Sequence, residues 1–123
     1  MALRVGRPAL STGMWEFNRT IESSRTPGKP QTIQTKTCTN PSDDMRKQNE
    51  MLTRSGCKFS PVTRAGSTYS YSAACKLQGA EGTSKSVLTV ENDGAYTIRV
   101  ESNFGGEPTR ELLRARRVGD CRP

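Results

Sequence analysis

GAYTIRVESNF, residues 94–104, alternates apolar and polar side chains more regularly than the rest of the chain. The large apolar side chains share one parity: Tyr96, Ile98, Val100 and Phe104. The opposite parity is polar: Thr97, Arg99, Glu101 and Asn103. Because successive side chains of a β-strand point to opposite faces, this pattern predicts a strand with one buried face and one solvated face. Such strands are typical of antiparallel sheets.

The same pattern extends outward from this segment. Tyr69, Tyr71 and Ala73 repeat the alternation, and turn-forming residues lie at 64–67 and 92–94. We predict strands at residues 13–21, 31–38, 57–63, 68–77, 83–91, 94–104 and 109–118. The predicted fold class is therefore mostly β. We expect a curved antiparallel meander or partly closed barrel of six to seven strands, with one short helix after the second strand.

The helix is predicted from its end signals. Asn40 is a suitable N-cap, Pro41 suits the first helical position, and Asp43 and Asp44 lie in the first turn, where the helix dipole favours negative charge. Gly56 is a suitable stop.

The length of 123 residues corresponds to one domain. We expect a flexible N-terminal arm at residues 1–12 and a single disulfide-stapled β domain at residues 13–122.

Four cysteines, Cys38, Cys57, Cys75 and Cys121, lie at the ends of predicted strands. A four-residue turn at 64–67 places Cys57 one residue out of register with Cys75, so a single bulge, or a one-residue change of loop length, would bring the two together. We therefore predict a Cys57–Cys75 disulfide, and Cys38–Cys121 follows by elimination. The second bridge is expected to tie the second strand to the final one and so to bring together the two ends of the sheet.

A zinc site with four cysteine ligands is the rival interpretation of these residues. Zinc sites need close ligand pairs such as Cys-x2-Cys. Here successive cysteines are 19, 18 and 46 positions apart. We therefore favour disulfides, and an even number of cysteines in a short chain indicates an oxidising compartment.

Composition excludes several classes of function. The chain contains no histidine, so it has no imidazole base, Ser-His-Asp triad or histidine metal ligand. No Gly-x-Ser-x-Gly motif occurs, and the paired glycines lack a strand–loop–helix context. We predict that the protein is not an enzyme and uses no metal and no cofactor. The apolar runs are too short for a membrane span, and no nucleic-acid-binding motif is recognised.

Four short motifs occur in order along the chain: Gly13-Met14-Trp15-Glu16-Phe17, Cys38-Thr39-Asn40-Pro41, Gly56-Cys57-Lys58 and Arg117-Val118-Gly119-Asp120-Cys121. Over residues 12–122 the chain resembles the bacterial domain-of-unknown-function family 3617. Its members typically carry a secretion signal, so the resemblance implies a periplasmic or secreted protein. Residues 1–11 contain no apolar signal-peptide core, so we expect that the leader was removed or the start codon misassigned.

The resemblance implies no activity, cofactor or catalytic residue. Many members are rich in methionine in the central strands, whereas residues 86–90 and 96–102 contain none. A role in soft-metal binding is therefore not expected here.

Two sets of residues are candidates for a binding surface. Arg110, Arg114 and Arg116 share one parity and could contact an anionic partner, since the formal net charge is +7. The alternative for them is an ordinary solvated strand face. The second set is aromatic and could line a pocket for a small apolar ligand, although such residues more often form a core. It consists of Trp15, Phe17, Tyr69, Tyr71, Tyr96 and Phe104.

The sequence thus predicts a non-enzymatic, periplasmic binding or envelope-associated module of unknown ligand. The expected partner is a small apolar molecule or an anionic envelope component. The alternative is a structural or interaction protein that docks on an anionic surface through the basic face of its C-terminal strand. An enclosed cavity with a few polar groups would favour the first hypothesis.

Overall fold

A computed structural model describes residues 10–23, 28–77 and 79–121. It contains one helix and eight strands, which form a single sheet. The elements in chain order are β1 (Gly13–Ser23), β2 (Gln31–Thr39), α1 (Pro41–Ser55), β3 (Cys57–Phe59), β4 (Thr63–Ala65), β5 (Thr68–Leu77), β6 (Ala80–Asn92), β7 (Ala95–Phe104) and β8 (Glu107–Gly119). The predicted fold class, mostly β with one helix after the second strand, is confirmed.

The sheet is an open antiparallel meander. Its strand order is β2-β1-β8-β7-β6-β5-β3, and β4 also pairs with β5. The strands from β5 to β8 follow one another through short turns, and β1 then adds to β8. Since β2 lies at one edge and β3 at the other, the sheet does not close, and of the two predicted architectures the meander is the correct one.

The strand predicted at residues 57–63 is interrupted. Cys57–Phe59 forms β3 and Thr63–Ala65 forms β4, and both pair with β5. Pro61 lies in the gap, and proline has no N–H to donate to the ladder. This break explains why the sheet has eight strands instead of six to seven.

The break also produces the one-residue shift in strand pairing that the Cys57–Cys75 prediction required: β3 and β4 pair with β5 in registers that differ by one residue. Thr63 pairs with Ser70, so the turn contains two residues, Gly66 and Ser67, and not the four that we expected. Gly66 has a φ of 61°, which glycine adopts readily. Beyond the break the pairing shifts by one residue, and this shift sets Cys57 directly opposite Cys75.

The helix ends are confirmed. The Asn40 side-chain oxygen accepts a hydrogen bond from the backbone N–H of Asp43 at 3.1 Å, Pro41 opens the helix, and Gly56 closes it with a φ of 123°. Because β2 and β3 lie at opposite edges of the sheet, the helix that connects them must pass across one face. We call the face beneath α1 the inner face and the opposite one the outer face.

Both predicted disulfides are confirmed, Cys57–Cys75 and Cys38–Cys121. The second bridge ties β2 to the chain just after the final strand, as predicted, but the expectation that it joins the two ends of the sheet was wrong. Met14 of β1 pairs with Cys38 on one side and with Gly119 on the other, so the bridge passes across β1 and does not join the two ends of the sheet. Each disulfide therefore secures one edge region of an open sheet.

The core lies at one end of the inner face. Trp15 is fully buried and contacts the rings of Phe17 and Tyr96, with ring centroids 6.4 and 5.6 Å away. Leu10 belongs to the same buried cluster, and the Ser11 N–H donates to the carbonyl oxygen of Asp93 at 2.9 Å. Residues 10–12 of the expected N-terminal arm are thus packed against the domain, whereas residues 1–9 lie outside the described residues.

Candidate functional site: the cleft beneath the helix

The helix does not seal the inner face of the sheet. Met45 packs against the core, and on the opposite side of the helix Met51 is 54% exposed. Between the helix and the sheet lie two neighbouring clefts, of about 280 and 390 Å³. We call them the upper cleft and the lower cleft. They meet at four residues that line both: Arg19, Gln48, Ile98 and Leu113.

The upper cleft lies beside the core and is mainly apolar. Phe17 and Ile98 come from the sheet, Ile33 from the edge strand β2, and Met45 from the helix. Its exposed polar residues are Arg19, Thr35, Asp44 and Gln48. Ile33 is 45% exposed. An apolar molecule in this cleft would therefore cover side chains that water now contacts.

The lower cleft extends toward β3 and has a mixed lining. Its apolar side chains include three aromatic rings, Phe59, Tyr71 and Phe104, together with Val100. The rings of Phe59 and Tyr71 pack on each other with centroids 6.2 Å apart. Its polar side chains are Arg19, Gln48, Asn49, Ser84, Ser86, Ser102 and Glu111. The Cys57–Cys75 disulfide also belongs to this wall.

A charged pair stands where the two clefts meet. The Arg19 Nε lies 2.9 Å from the Glu111 Oε2, and the two side chains are 47% and 28% exposed. Arg19 is the polar exception on a strand parity that otherwise carries Trp15, Phe17 and Ile21. Its ion-pair partner, Glu111, was not among the candidate site residues predicted from the sequence. The alternation along β8 could have identified Glu111 as an inward-facing residue, because it shares the parity of Leu113 and Ala115.

Tyr96 supplies a neutral polar group to the upper cleft. Burial raises the pKa of its phenol well above the ordinary value. The negative charge of Asp44 acts in the same direction, whereas the positive charge of Arg19 opposes it. The phenol therefore stays protonated at any physiological pH and can serve as a hydrogen-bond donor or acceptor.

The six aromatic residues predicted as a pocket divide into three groups. Trp15 and Tyr69 belong to the core, where the Arg64 guanidinium lies over the Tyr69 ring at 5.1 Å. Phe17 and Tyr96 line the upper cleft, and Tyr96 is also a buried member of the core cluster; Tyr71 and Phe104 line the lower cleft. The Phe104 ring covers Gly82 on the neighbouring strand, where a Cβ atom would collide with it.

The three predicted arginines lie on the outer face, away from both clefts. Arg116 forms an ion pair with Glu16 at 3.3 Å. Arg110 stands between Glu22 of β1 and Glu101 of β7. Arg110 and Arg116 therefore each have a carboxylate beside them on a neighbouring strand. Arg114 lies between these two arginines on β8, and its lateral neighbours are the uncharged residues Asn18 and Thr97.

The part of the chain that the structure describes contains neither a metal-binding cluster of side chains nor a membrane-spanning helix. Within residues 10–23, 28–77 and 79–121, no group of three or more cysteine, aspartate or glutamate side chains is arranged to hold a metal ion. The one helix of the described chain is neither long nor apolar enough to span a membrane.

Comparison with known proteins adds one finding. The sequence profile of a family described as proteins of unknown function, DUF3617, matches residues 10–121. The chain belongs to the DUF3617 family. No curated protein and no solved structure matches this DUF3617 domain.

Three of the motifs that suggested DUF3617 meet at one corner of the sheet. Trp15 pairs with Arg117, whose Nε donates to the Thr12 carbonyl oxygen at 2.9 Å. The Asn40 side chain donates to the Thr12 hydroxyl at 2.8 Å. The Arg117 guanidinium also lies where a Cβ of Gly13 would be, so this position suits glycine. These motifs of the DUF3617 domain therefore hold the fold together at this corner, outside the lower cleft.

Proposed function

We propose that this DUF3617 domain is a non-enzymatic, exported binding module, and that its ligand is a small, largely apolar molecule held between α1 and the inner face of the sheet. The observation that carries the proposal is the upper cleft. It combines an apolar lining with a few convergent polar groups, which is the usual composition of ligand sites in proteins.

The position of the cleft supports this proposal. The chain forms a continuous core around Trp15, yet the adjoining side chains of Phe17, Ile98 and Leu113 are only partly buried. Burying apolar surface contributes roughly 25 cal/mol per Å². A ligand that covers these side chains would therefore gain binding free energy without a change of fold.

The proposed location is the periplasm or the outside of a bacterial cell. The two disulfides support it, since such bonds persist in oxidising compartments. The predicted resemblance to exported proteins points the same way. The absence of histidine from the sequence supports the non-enzymatic part of the proposal.

Docking on an anionic surface through Arg110, Arg114 and Arg116 is the weaker candidate. The arginines share the outer face, but Glu16, Glu22 and Glu101 lie among them. These carboxylates lower the positive potential around Arg110 and Arg116 that would attract an anionic polymer or membrane.

A fluorescent apolar probe tests the proposal. We expect 1-N-phenylnaphthylamine to bind the folded protein saturably at one site, with a rise in its emission. Thr35→Trp should weaken binding at least fivefold, because Thr35 is an exposed residue on the wall of the upper cleft. The indole would occupy the space that the probe needs.

Thr32→Trp is the matched control. Thr32 is also exposed on β2, but its odd-numbered neighbours Ile33 and Thr35 face the cleft, so its side chain points to the outer face. Binding by this variant should equal that of the wild type. Absence of saturable binding, or equal weakening by both variants, would refute the proposed site.

A further inference from the structure

The two clefts differ in chemistry, and the difference indicates a class of ligand. The upper cleft presents mainly aliphatic and aromatic side chains. The lower cleft adds hydroxyl and amide groups to its aromatic rings. One elongated molecule that filled both would need an apolar chain at one end and a polar head at the other.

The hydroxyl groups lie where the fold itself would favour apolar residues. On the inner face of β6, Leu88 is buried, but the next two inward positions are Ser86 and Ser84. Ser84 stands directly opposite Ser102 of β7. Serine contributes little burial and is not a strong strand former. This pair of facing serines therefore weakens the sheet locally while it gives the lower cleft donors and acceptors.

The charged side chains Arg19 and Asp44 already have hydrogen-bonding partners within the protein. Arg19 is held by Glu111 at 2.9 Å, and the Asp44 carboxylate accepts a hydrogen bond from the Thr39 hydroxyl. An anionic head group would have to compete with Glu111 for the arginine. A neutral head group with many hydroxyls can instead form hydrogen bonds with Ser84, Ser102 and the solvent-exposed parts of Arg19 and Glu111. The C–H face of such a head group can pack on the ring of Tyr71.

We infer that the ligand is a neutral amphiphile with a sugar-like, polyhydroxylated head, whose head occupies the lower cleft and whose chain occupies the upper cleft. This inference rests on the proposed function and specifies its ligand.

Three amphiphiles with the same ten-carbon chain distinguish the proposed apolar-ligand site from the inference about the head group. They are n-decyl-β-maltoside, decyl phosphocholine and decyl sulfate, each titrated by calorimetry below its critical micelle concentration. High salt in the buffer screens the net charge of +7, so that decyl sulfate does not bind by general attraction. We expect the maltoside to bind at one site with at least tenfold higher affinity than either of the other two.

Paired variants locate the head group. Ser84→Ala combined with Ser102→Ala should weaken maltoside binding about tenfold, in line with the loss of two hydrogen bonds, and leave decyl sulfate binding unchanged. Ser70→Ala is the control, because Ser70 lies on the same sheet between inward-facing Tyr69 and Tyr71 and so points to the outer face. It should bind the maltoside like the wild type.

The outcomes are distinct. Equal or tighter binding of decyl sulfate, or an unaltered maltoside affinity in the double variant, would overturn the inference and leave the proposed function standing. Failure of all three amphiphiles and of 1-N-phenylnaphthylamine to bind the folded protein would overturn both.

Discussion

Trp15→Ala should lower the free energy of unfolding by about 3–5 kcal/mol, which is the usual cost of truncating a buried large aromatic side chain. Trp15 has no solvent exposure, contacts two aromatic rings and donates from Nε1 to the Ser11 carbonyl oxygen at 2.9 Å. Small domains have a total stability of roughly 5–15 kcal/mol. The variant should therefore be largely or partly unfolded in mild urea, as measured by far-ultraviolet circular dichroism.

Trp15→Phe separates the two contributions of this residue. Phenylalanine keeps most of the apolar volume but cannot donate to Ser11, so we expect a smaller loss than in the alanine variant. A loss below about 1 kcal/mol for Trp15→Ala would show that the core is not organised around this side chain.

Removal of the Cys38–Cys121 disulfide by paired serine substitutions should lower the free energy of unfolding by about 4.5 kcal/mol in the chain-entropy model. The two cysteines are 83 residues apart, so the bond closes a long loop in the unfolded chain. The same change at Cys57 and Cys75, 18 residues apart, should cost about 3 kcal/mol. Urea unfolding monitored by circular dichroism measures both losses.

The order of these two losses is the informative result. Each double variant serves as the control for the other, because each removes one bond and adds the same two hydroxyl groups. Mass spectrometry of non-reduced digests should show the remaining bond intact. A larger loss at Cys57 and Cys75 would contradict the loop-length argument and indicate that local packing dominates.

Local signals in the sequence were sufficient for most of the secondary structure. The alternation at 94–104 defined β7, and Asn40, Pro41 and Gly56 defined both ends of α1. These signals act through the backbone of neighbouring residues, so they do not depend on the rest of the fold. The cysteine pairing was also predictable, because antiparallel register restricts which residues can meet.

Features that depend on distant parts of the chain were not predictable. Whether the sheet closes depends on its twist and on the positions of both edge strands, which no local pattern determines. The Cys38–Cys121 bond was expected to join the sheet ends, but β1 adds to β8 and places itself between the two cysteines. The break at Pro61, by contrast, is a local feature, because proline has no N–H to donate to the ladder.

From the sequence, the candidate site could be predicted only as far as the face of the sheet on which it lies. Strand parity identified the aromatic residues that point inward, but it could not separate Trp15, which is buried in the core, from Phe104, which lines the lower cleft. That separation is made by α1, since the helix crosses the sheet and leaves space on one side of the core. The pairing of Arg19 with Glu111 likewise depends on β1 and β8 being neighbours.

The most direct test of the proposed ligand site in the upper cleft is a methyl NMR titration of the folded protein with 1-N-phenylnaphthylamine. Ring currents of the probe should shift the methyl resonances of Ile33, Ile98 and Leu113, which line the upper cleft, along one saturable curve. Val87 and Val118, which are 36% and 44% exposed elsewhere on the sheet, are the internal controls and should not move. Shifts at Val87 and Val118 without shifts at Ile98 and Leu113 would contradict a ligand site beneath the helix.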